Sequence, residues 1–539
     1  MTDSKLFEKL KVYKNDANEC ISFKYIFDHS DLKESSSNDE ENTNPNVFKP
    51  EYTHQIFGDE ESIFGYKNLK VNYFLTPGLL DAYIGLSYKE KITPKRFDGI
   101  EPDDVYGAFE EFGCSPGYTK DLKVFSEKLS QDAQFRPFGT KIWEYTKPKV
   151  NNYIYEIYKI DSSSSDHQSE NFINYLLRVQ TMLAYYIETF SFLDYEDTQW
   201  THFLLYEKRK IDSTNEYRYV TIGYLSVYNY YAFPDKKRSR ISQILIFPNY
   251  QHMGHGAELV EAIYRDACQN ENIADVTAED PSPEFIKLRD FVTTKMCLQL
   301  DSFKDKAGLK KNFSTQMAQE AFKKFKLPKL QSRRCYEILR LAATNQTQQD
   351  EWREYRLDIK KRFYMPFIRK SKFARNGKNG AGGEQDQAQE QPKSSETAAP
   401  AGKRSLEERF GPIDSKRFKK DEIGETAIGF GASAVPVMPA PVSFSSKLTP
   451  VANGNGIGKK VVSFSCVTIN TSNSTTDNSH NDDEDEDDDD KNQNENEGVI
   501  EKLFLSEQER KEYLEKEFQQ AIVDYRRILD RLESAQIVF

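Results

Sequence analysis

From Ser371 to Gly498 the chain is dominated by Gly, Ser, Asn, Gln, Pro, Ala and acidic residues, a composition too polar to bury a core. Setting that stretch aside leaves roughly 410 residues, enough for about two or three hydrophobic cores. The flanking parts hold most of the 36 Phe, 31 Tyr and 3 Trp. The expectation is therefore a substantial folded body carrying a long disordered insert. No window offers about 18 consecutive apolar residues, so no membrane span is expected. Met1-Thr2-Asp3-Ser4-Lys5 has no apolar h-region, so no signal peptide is expected. The 6 cysteines are scattered, with no CxxC and no histidine close by, which reads as reduced thiols and no metal site. The net charge of -12 disfavours direct nucleic-acid binding and suits a basic partner.

Along the chain, Phe23, Tyr25 and Phe27 alternate in strand fashion, and Tyr52 to about Leu86 mixes aromatic and branched residues with Gly and Pro. This predicts a β-rich N-terminal domain over 1–135. Strand-like runs lie between Ile142 and Ile160, and Asn171 to Glu188 repeats apolar residues at helix spacing. Phe203 to Tyr206 and Val220 to Tyr228 read as an antiparallel hairpin, and Ile241 to Phe247 as a central strand covered on both faces. A Gly turn, a helix from Leu259 to Ala267, a strand from Ile273 to Ala278 and a helix from about Pro283 follow. That order predicts an α+β core over 136–282, a mixed sheet flanked by helices. Residues 283–370 read as a helical C-terminal domain and 371–500 as the low-complexity insert. The insert carries a basic cluster (Lys403-Arg404, then Lys416 to Lys420) and the acidic run Asp482 to Asp490. The first looks like a bipartite import signal, so an import receptor is a conceivable partner. The second is either a docking segment for a basic partner or a solvating spacer. Residues 501–539 end in an amphipathic helix, with Ser506 and Glu509 as a capping box and a stripe of Leu514, Phe518, Ile522, Tyr525, Leu529 and Leu532. Such a helix is expected to pack back on the body, a coiled-coil arm being the alternative.

The chemistry concentrates in Gln251-His252-Met253-Gly254-His255-Gly256-Ala257, between a buried strand and a helix. Glycines there permit positive φ and close backbone approach, and free N–H groups at a helix start make an anion site that a pyrophosphate fits. No third Gly completes a dinucleotide fingerprint, and no Lys-Ser/Thr follows as in a P-loop. A plain Gly turn is the bland alternative.

These residues resemble the Gln/Arg-x-x-Gly-x-Gly/Ala motif of the GCN5-related N-acetyltransferase superfamily. Their neighbours extend the likeness. Gly223-Tyr224, Val227 to Tyr231, Ser242-Gln243-Ile244-Leu245-Ile246, Ala278-Glu279-Asp280-Pro281-Ser282 and Lys287 to Phe291 stand in order at close spacing. Phe57-Gly58-Asp59-Glu60-Glu61, Tyr336 to Leu341, Tyr355 to Lys360 and Asp524 to Arg527 add further blocks. Together they look like type B histone acetyltransferase catalytic subunits over roughly Phe57 to Arg369 and the last helix. The Ser371–Gly498 insert departs from that pattern.

The resemblance implies a GCN5-related fold, acetyl-CoA as co-substrate, no metal, and a lysine in the N-terminal tail of newly made histone H-four as acceptor. It implies that the backbone of Ile244, Leu245 and Ile246 holds the acetyl-pantetheine arm, that Gln251, His252, Met253, Gly254, His255, Gly256 and Ala257 hold the pyrophosphate, and that Ser282 touches the cofactor. A free lysine has a pKa near 10.4, so at neutral pH about 1 in 2,500 is nucleophilic and a positioned base is needed. Glu279 matches the family's catalytic glutamate, and Asp280 and Glu188 match two carboxylates near it. An edge-strand charge, a helix cap and a surface charge are the respective bland alternatives. With no Cys/His pair in view, direct attack by the amine is preferred to an acyl-enzyme. His252 and His255 read as turn residues. Asp59, Glu60, Glu61, Trp200, Tyr228, Asn229 and Tyr230 match tail-contacting positions. The family also implies a WD-repeat histone chaperone of the retinoblastoma-binding type as partner, and a nuclear and cytoplasmic location. Two other readings stay open: a non-catalytic histone chaperone built on the acidic run, and an acetyltransferase for another amine.

Overall fold

A computed structural model describes residues 9–34, 46–97, 99–113, 118–148, 151, 153–211, 216–378 and 506–537. These belong almost wholly to one compact unit, Met1–Lys372 with Lys459–Phe539. The basic cluster and the acidic run lie outside the described residues.

Six strands form the central sheet: β1 (Thr140–Thr146), β2 (Ile154–Ile160), β3 (Trp200–Lys210), β4 (Tyr217–Ala232), β5 (Lys236–Ile246) and β6 (Ile273–Ala278). Their spatial order is β6-β5-β4-β3-β2-β1, with every pair antiparallel except β5 with β6. Beyond Gln199, β3 and β4 run far past the apolar cores read from the sequence, because long cross-strand pairing carries even charged ends such as Arg209 opposite Arg218.

Adjacent residues of a strand point to opposite faces. On one face helix α1 (Glu170–Ala184) packs Phe172 against His202 at 5.7 Å between ring centroids, and the Tyr175 hydroxyl meets that of Thr221 at 2.8 Å. Ser169 caps α1 by accepting from the Phe172 N–H at 3.2 Å. The opposite face takes helix α2 (His255–Gln269), whose buried side includes Leu259, Val260, Ile263, Tyr264 and Ala267.

The N-terminal region adds a four-stranded sheet of Val47–Phe48, Ile21–Tyr25, Lys70–Leu75 and Ala82–Ser87, in that order. It also contains two helices, Val105–Glu111 and Leu122–Asp132, that the β-rich expectation missed. It is joined to the central sheet by polar contacts at Thr221, whose carbonyl accepts from the Tyr25 hydroxyl at 2.9 Å and whose hydroxyl donates to the Gly78 carbonyl at 2.6 Å. One hydrophobic cluster runs from Ala17 to Leu532 through most of these elements, while Phe125 and Leu129 of the second helix form a separate one with Ile26 and Phe74.

Downstream, α3 (Pro283–Cys297), α4 (Thr315–Phe325), α5 (Lys329–Ala343) and α6 (Gln349–Lys378) are helical, and α6 continues past the point where the linker was expected to begin. The last helix, α7 (Glu507–Ser534), has the expected Ser506/Glu509 capping box and packs against α3 and α5. Its buried stripe is Phe518, Ile522, Tyr525, Ile528 and Leu532. Ile528 replaces the expected Leu529, since spacings of 4, 3, 3 and 4 follow the 3.6-residue period more closely. α7 is also held by a buried carboxylate. Glu337 on α5, wholly buried, accepts from the Tyr525 hydroxyl at 2.8 Å, Arg333 Nε at 2.9 Å and Arg362 Nε at 2.8 Å. Removing one donor leaves a buried charge short of a bond, so Tyr525→Phe should lower unfolding stability by about 1–3 kcal/mol. Urea denaturation of the full chain reads that loss.

His202 is buried beside Tyr224, whose hydroxyl meets its Nδ1 at 2.8 Å. Burial, assisted by His167, lowers its pKa to about 3. The unfolded chain takes up this proton near pH 6.5, the native chain only far below. His202 therefore contributes stability that is complete above pH 6.5 and is lost as pH falls through that window. Between pH 6.5 and 5 the loss is about 2 kcal/mol. Urea midpoints at the two pH values should separate less in His202→Gln than in the native chain.

Candidate active site

The sheet opens between β5 and β6. Their parallel pairing runs from Lys237 opposite Ile273 to Ile241 opposite Ala278, and closes where the Glu279 N–H donates to the Ile241 carbonyl at 3.2 Å. β6 stops there while β5 continues to Ile246. The Phe247 N–H donates to Ile222 at 2.9 Å, on the β4 side. By alternation, the N–H and C=O groups of Ile244 and Ile246 face the opening. Gln251 Nε2 takes the Ile246 carbonyl at 2.8 Å, a bond that ties the turn to the strand end. A register shift between Ser226 and Val227 on β4 turns β5 at this point. The opening is thus a sheet edge with backbone donors and acceptors toward it, to which an amide-bearing chain can add as a further strand.

At the far end of β5 the chain turns into α2. Gly254 sits at the N-cap with φ +86° and His252 at φ 62°. The first intrahelical bond, Glu258 N–H to the Gly254 carbonyl, is 3.4 Å, and no side chain caps the helix. The amides of His255, Gly256 and Ala257 are therefore the helix's unsatisfied donors, a positive end suited to a diphosphate. Gly256 is helical rather than left-handed. Its missing side chain instead lets α2 approach α3, since a Cβ there would stand 3.2 Å from Leu288 Cδ2.

His255 departs from the turn reading. It is buried, bonds the Tyr145 hydroxyl through Nδ1 at 2.8 Å, and lies 4.4 Å from the Tyr155 ring. Burial, with Lys147 nearby, lowers its pKa to about 4, so it is neutral at working pH. Only its backbone is available to a ligand. Lys147, which sequence reasoning did not single out, pairs with Glu258 at 2.7 Å and lies 3.4 Å from where a Gly254 Cβ would stand. Its position follows from β1 running beside α2, a contact no local pattern signals.

Glu279 stands at the inner end of the opening. Its side chain is 11% exposed, and Arg240 Nη1 on β5 contacts it at 3.3 Å. Burial raises its pKa, Arg240 pulls it back, and Asp280 adds to the rise. A carboxyl shifted upward but held ionisable is the state a general base requires. Asp280 follows at φ 36°. The capping role considered for it belongs to Ser282, whose hydroxyl accepts from the Phe285 N–H at 3.2 Å with Pro283 at the first helical position.

Tyr228 pairs with both Trp200 and Arg240 in register, so all three share the α1 face, as does Tyr230 two residues on. Trp200 and Tyr228 are 4.8 Å apart, Tyr228 and Tyr230 4.6 Å, and the Arg240 guanidinium lies 4.7 Å from the Tyr230 centroid. An aromatic wall thus leads through Arg240 to Glu279. Asn229 points to the other face, where it donates to Gln199 O and Thr201 Oγ1 and accepts from Ser239. Its side chain is no part of the wall.

The remaining acids separate. Glu61, at φ 45°, is spent internally: Oε1 accepts from the Thr53 and His54 amides and Oε2 from Asn18. These bonds let its side chain hold the Asp59–Glu60 turn. Asp59 is exposed, and so is Glu60, which pairs with Lys14. Glu188 is exposed beyond α1, and its carbonyl accepts from Gln55 at 3.3 Å. Gln243 of β5 donates to Ser191 O at 2.9 Å, so the 188–191 segment borders the same face as Glu279. Among the described residues no group of three His, Cys, Asp or Glu could hold a metal ion, and no helix is long and apolar enough to cross a membrane.

A mixed sheet opened beside its central strand, an uncapped helix start beyond it and a half-buried carboxylate at the inner end are the features expected of a coenzyme A-dependent N-acetyltransferase of the GCN5-related class. A family model described as the N-terminus of the histone acetyl transferase HAT1 matches residues 13–188, and one for the C-terminal part of the histone acetyltransferase type B catalytic subunit matches 289–341. Proteins named histone acetyltransferase type B catalytic subunit are 40% identical over 366 residues in Rattus norvegicus (67% of this chain, 83% of that protein) and 39% over 368 in Homo sapiens (68% and 83%). One in Dictyostelium discoideum is 32% identical over 373 residues (66% and 76%). The chain belongs to the family of histone acetyltransferase type B catalytic subunits and is an acetyltransferase enzyme. Acetyl-CoA is the co-substrate that membership implies.

Proposed function

We propose that the chain transfers acetyl from acetyl-CoA to lysine side chains in the N-terminal tail of newly synthesised histone H-four, with Glu279 as general base, in support of histone deposition. The observation that carries this reading is a half-hidden carboxylate at the inner end of an open sheet edge, with an aromatic wall on the same face. Ile244 and Ile246 orient the pantetheine arm by backbone bonds, and the α2 amides with Lys147 neutralise the diphosphate. Trp200, Tyr228 and Tyr230 take the aliphatic stem of a lysine, and exposed Asp59 and Glu60 attract the basic tail. Glu279 accepts the ammonium proton. The amine then attacks the thioester carbonyl, the tetrahedral intermediate breaks its C–S bond, and the departing thiolate takes the second amine proton to leave as the thiol of coenzyme A. Asp280 and Glu188 add negative charge around the incoming cation.

A WD-repeat histone chaperone as partner, an import receptor on the Lys403–Lys420 cluster, and a nuclear and cytoplasmic location complete the reading. The test is acetyl transfer to an H-four tail peptide and to the same peptide with every lysine changed to arginine. The first should be acetylated and the second inert. Equal labelling of both would point to another amine, and labelling of neither to a non-catalytic histone binder.

A further inference from the structure

Arg240 was not among the residues expected at the site, yet its guanidinium forms an ion pair with Glu279. It is anchored three ways. Its backbone is in the middle of the sheet, opposite Tyr228 on one side and Thr277 on the other. Its guanidinium lies on the Tyr230 ring at 4.7 Å. Its Nη1 reaches Glu279 Oε1 at 3.3 Å. A planar cation fixed on a ring has little freedom to swing away, so the carboxylate it meets is fixed too.

We propose that Arg240 is a positioning residue, held on Tyr230 so as to keep the Glu279 carboxylate ionised and aimed into the opening. The proposal rests on Glu279 being the general base. The charges acting on Glu279 are Arg240 from β5 and Asp280 from the turn after β6, with Tyr230 of β4 facing Arg240. Burial and Asp280 both drive the carboxyl toward its protonated, inert form, and Arg240 opposes them. Without Arg240, the active form should appear only at higher pH. A residue that merely braced the sheet would lower activity equally at every pH.

The experiment is the pH profile of kcat/KM on an H-four tail peptide for the native chain, Arg240→Gln, Arg240→Lys and Glu279→Gln, with acetyl-CoA binding as the check of folding. Arg240→Gln should move the acid limb up by about one pH unit, the lower end of what a neighbouring arginine does to a carboxyl. Arg240→Lys, which keeps the charge, should leave the limb in place while lowering kcat. An unmoved limb in Arg240→Gln, or one that moves equally in both variants, overturns the proposal. Glu279→Gln should lose the plateau above the limb, its low residual rate rising with pH throughout. Full activity in that variant removes the base itself, a failure distinct from that of Arg240. Should Arg240→Gln fail to bind acetyl-CoA, Tyr230→Leu decides: a limb that rises supports the proposal and an unmoved one overturns it.

Discussion

Glu279→Gln should lower kcat by about 100- to 10,000-fold while acetyl-CoA still binds within about twofold of the native affinity. The substitution keeps the size and the polar contact of the side chain and removes only its ability to accept a proton. Glu279 is not part of the turn at Gly254 or of the open edge at Ile244 and Ile246, so cofactor binding has no reason to fall. The residual rate should depend on amine that is already neutral, about 1 in 2,500 at neutral pH, and so rise about tenfold per pH unit toward the lysine pKa. Steady-state kinetics from pH 6 to 9, with calorimetry of acetyl-CoA binding, measure both halves. A variant with normal kcat and an unchanged pH profile removes Glu279 from the mechanism.

Gly254→Val should act in the opposite sense, raising the KM for acetyl-CoA by at least about tenfold. Gly254 has φ +86°, a conformation that costs an L-residue roughly 1–2 kcal/mol and a β-branched one more. Its new Cβ would also stand 3.4 Å from Lys147 Nζ, crowding the cation beside the diphosphate turn. Shifting the turn misaims the amides of His255, Gly256 and Ala257, and about 1.4 kcal/mol of lost binding is a tenfold change. The acid limb should stay where it is, because the Arg240–Glu279 pair lies at the other end of the opening. Unaltered KM in a folded variant would mean that the helix start does not hold the cofactor.

Much of this arrangement is legible in the residues. The apolar run Ile241–Phe247, the Gly-containing turn and the stripe from Leu259 locate the β5–α2 junction because each is a local pattern with a fixed period. The Ser506/Glu509 box marks the start of α7 for the same reason. What escapes is what the third dimension decides. His255 looks like a turn residue until Tyr145, Tyr155 and Tyr250 close around it from elements far away in the chain. Asn229 sits between two tyrosines, but strand alternation sends it to the other face, and with the strand's pairing known that was readable. Glu61 has the same charge as its neighbours Asp59 and Glu60 and a different fate, fixed by amides at Thr53 and His54. Asp104 and Asp121 before the two missed N-terminal helices were cap signals in plain sight, each accepting a backbone N–H within the first turn. Arg240 lay inside the basic run Lys236-Lys237-Arg238-Ser239-Arg240, whose alternation placed it beside Tyr228 only once the register with β4 was known.

The most direct test is a crystal structure with a bisubstrate analogue joining coenzyme A to an H-four tail lysine. The expected result is a pantetheine chain bonded to Ile244 and Ile246, a diphosphate at the Gly254 turn, and the lysine nitrogen between Tyr228 and Glu279. An analogue seated elsewhere, or one whose lysine nitrogen lies out of reach of Glu279 even through a water, would contradict it.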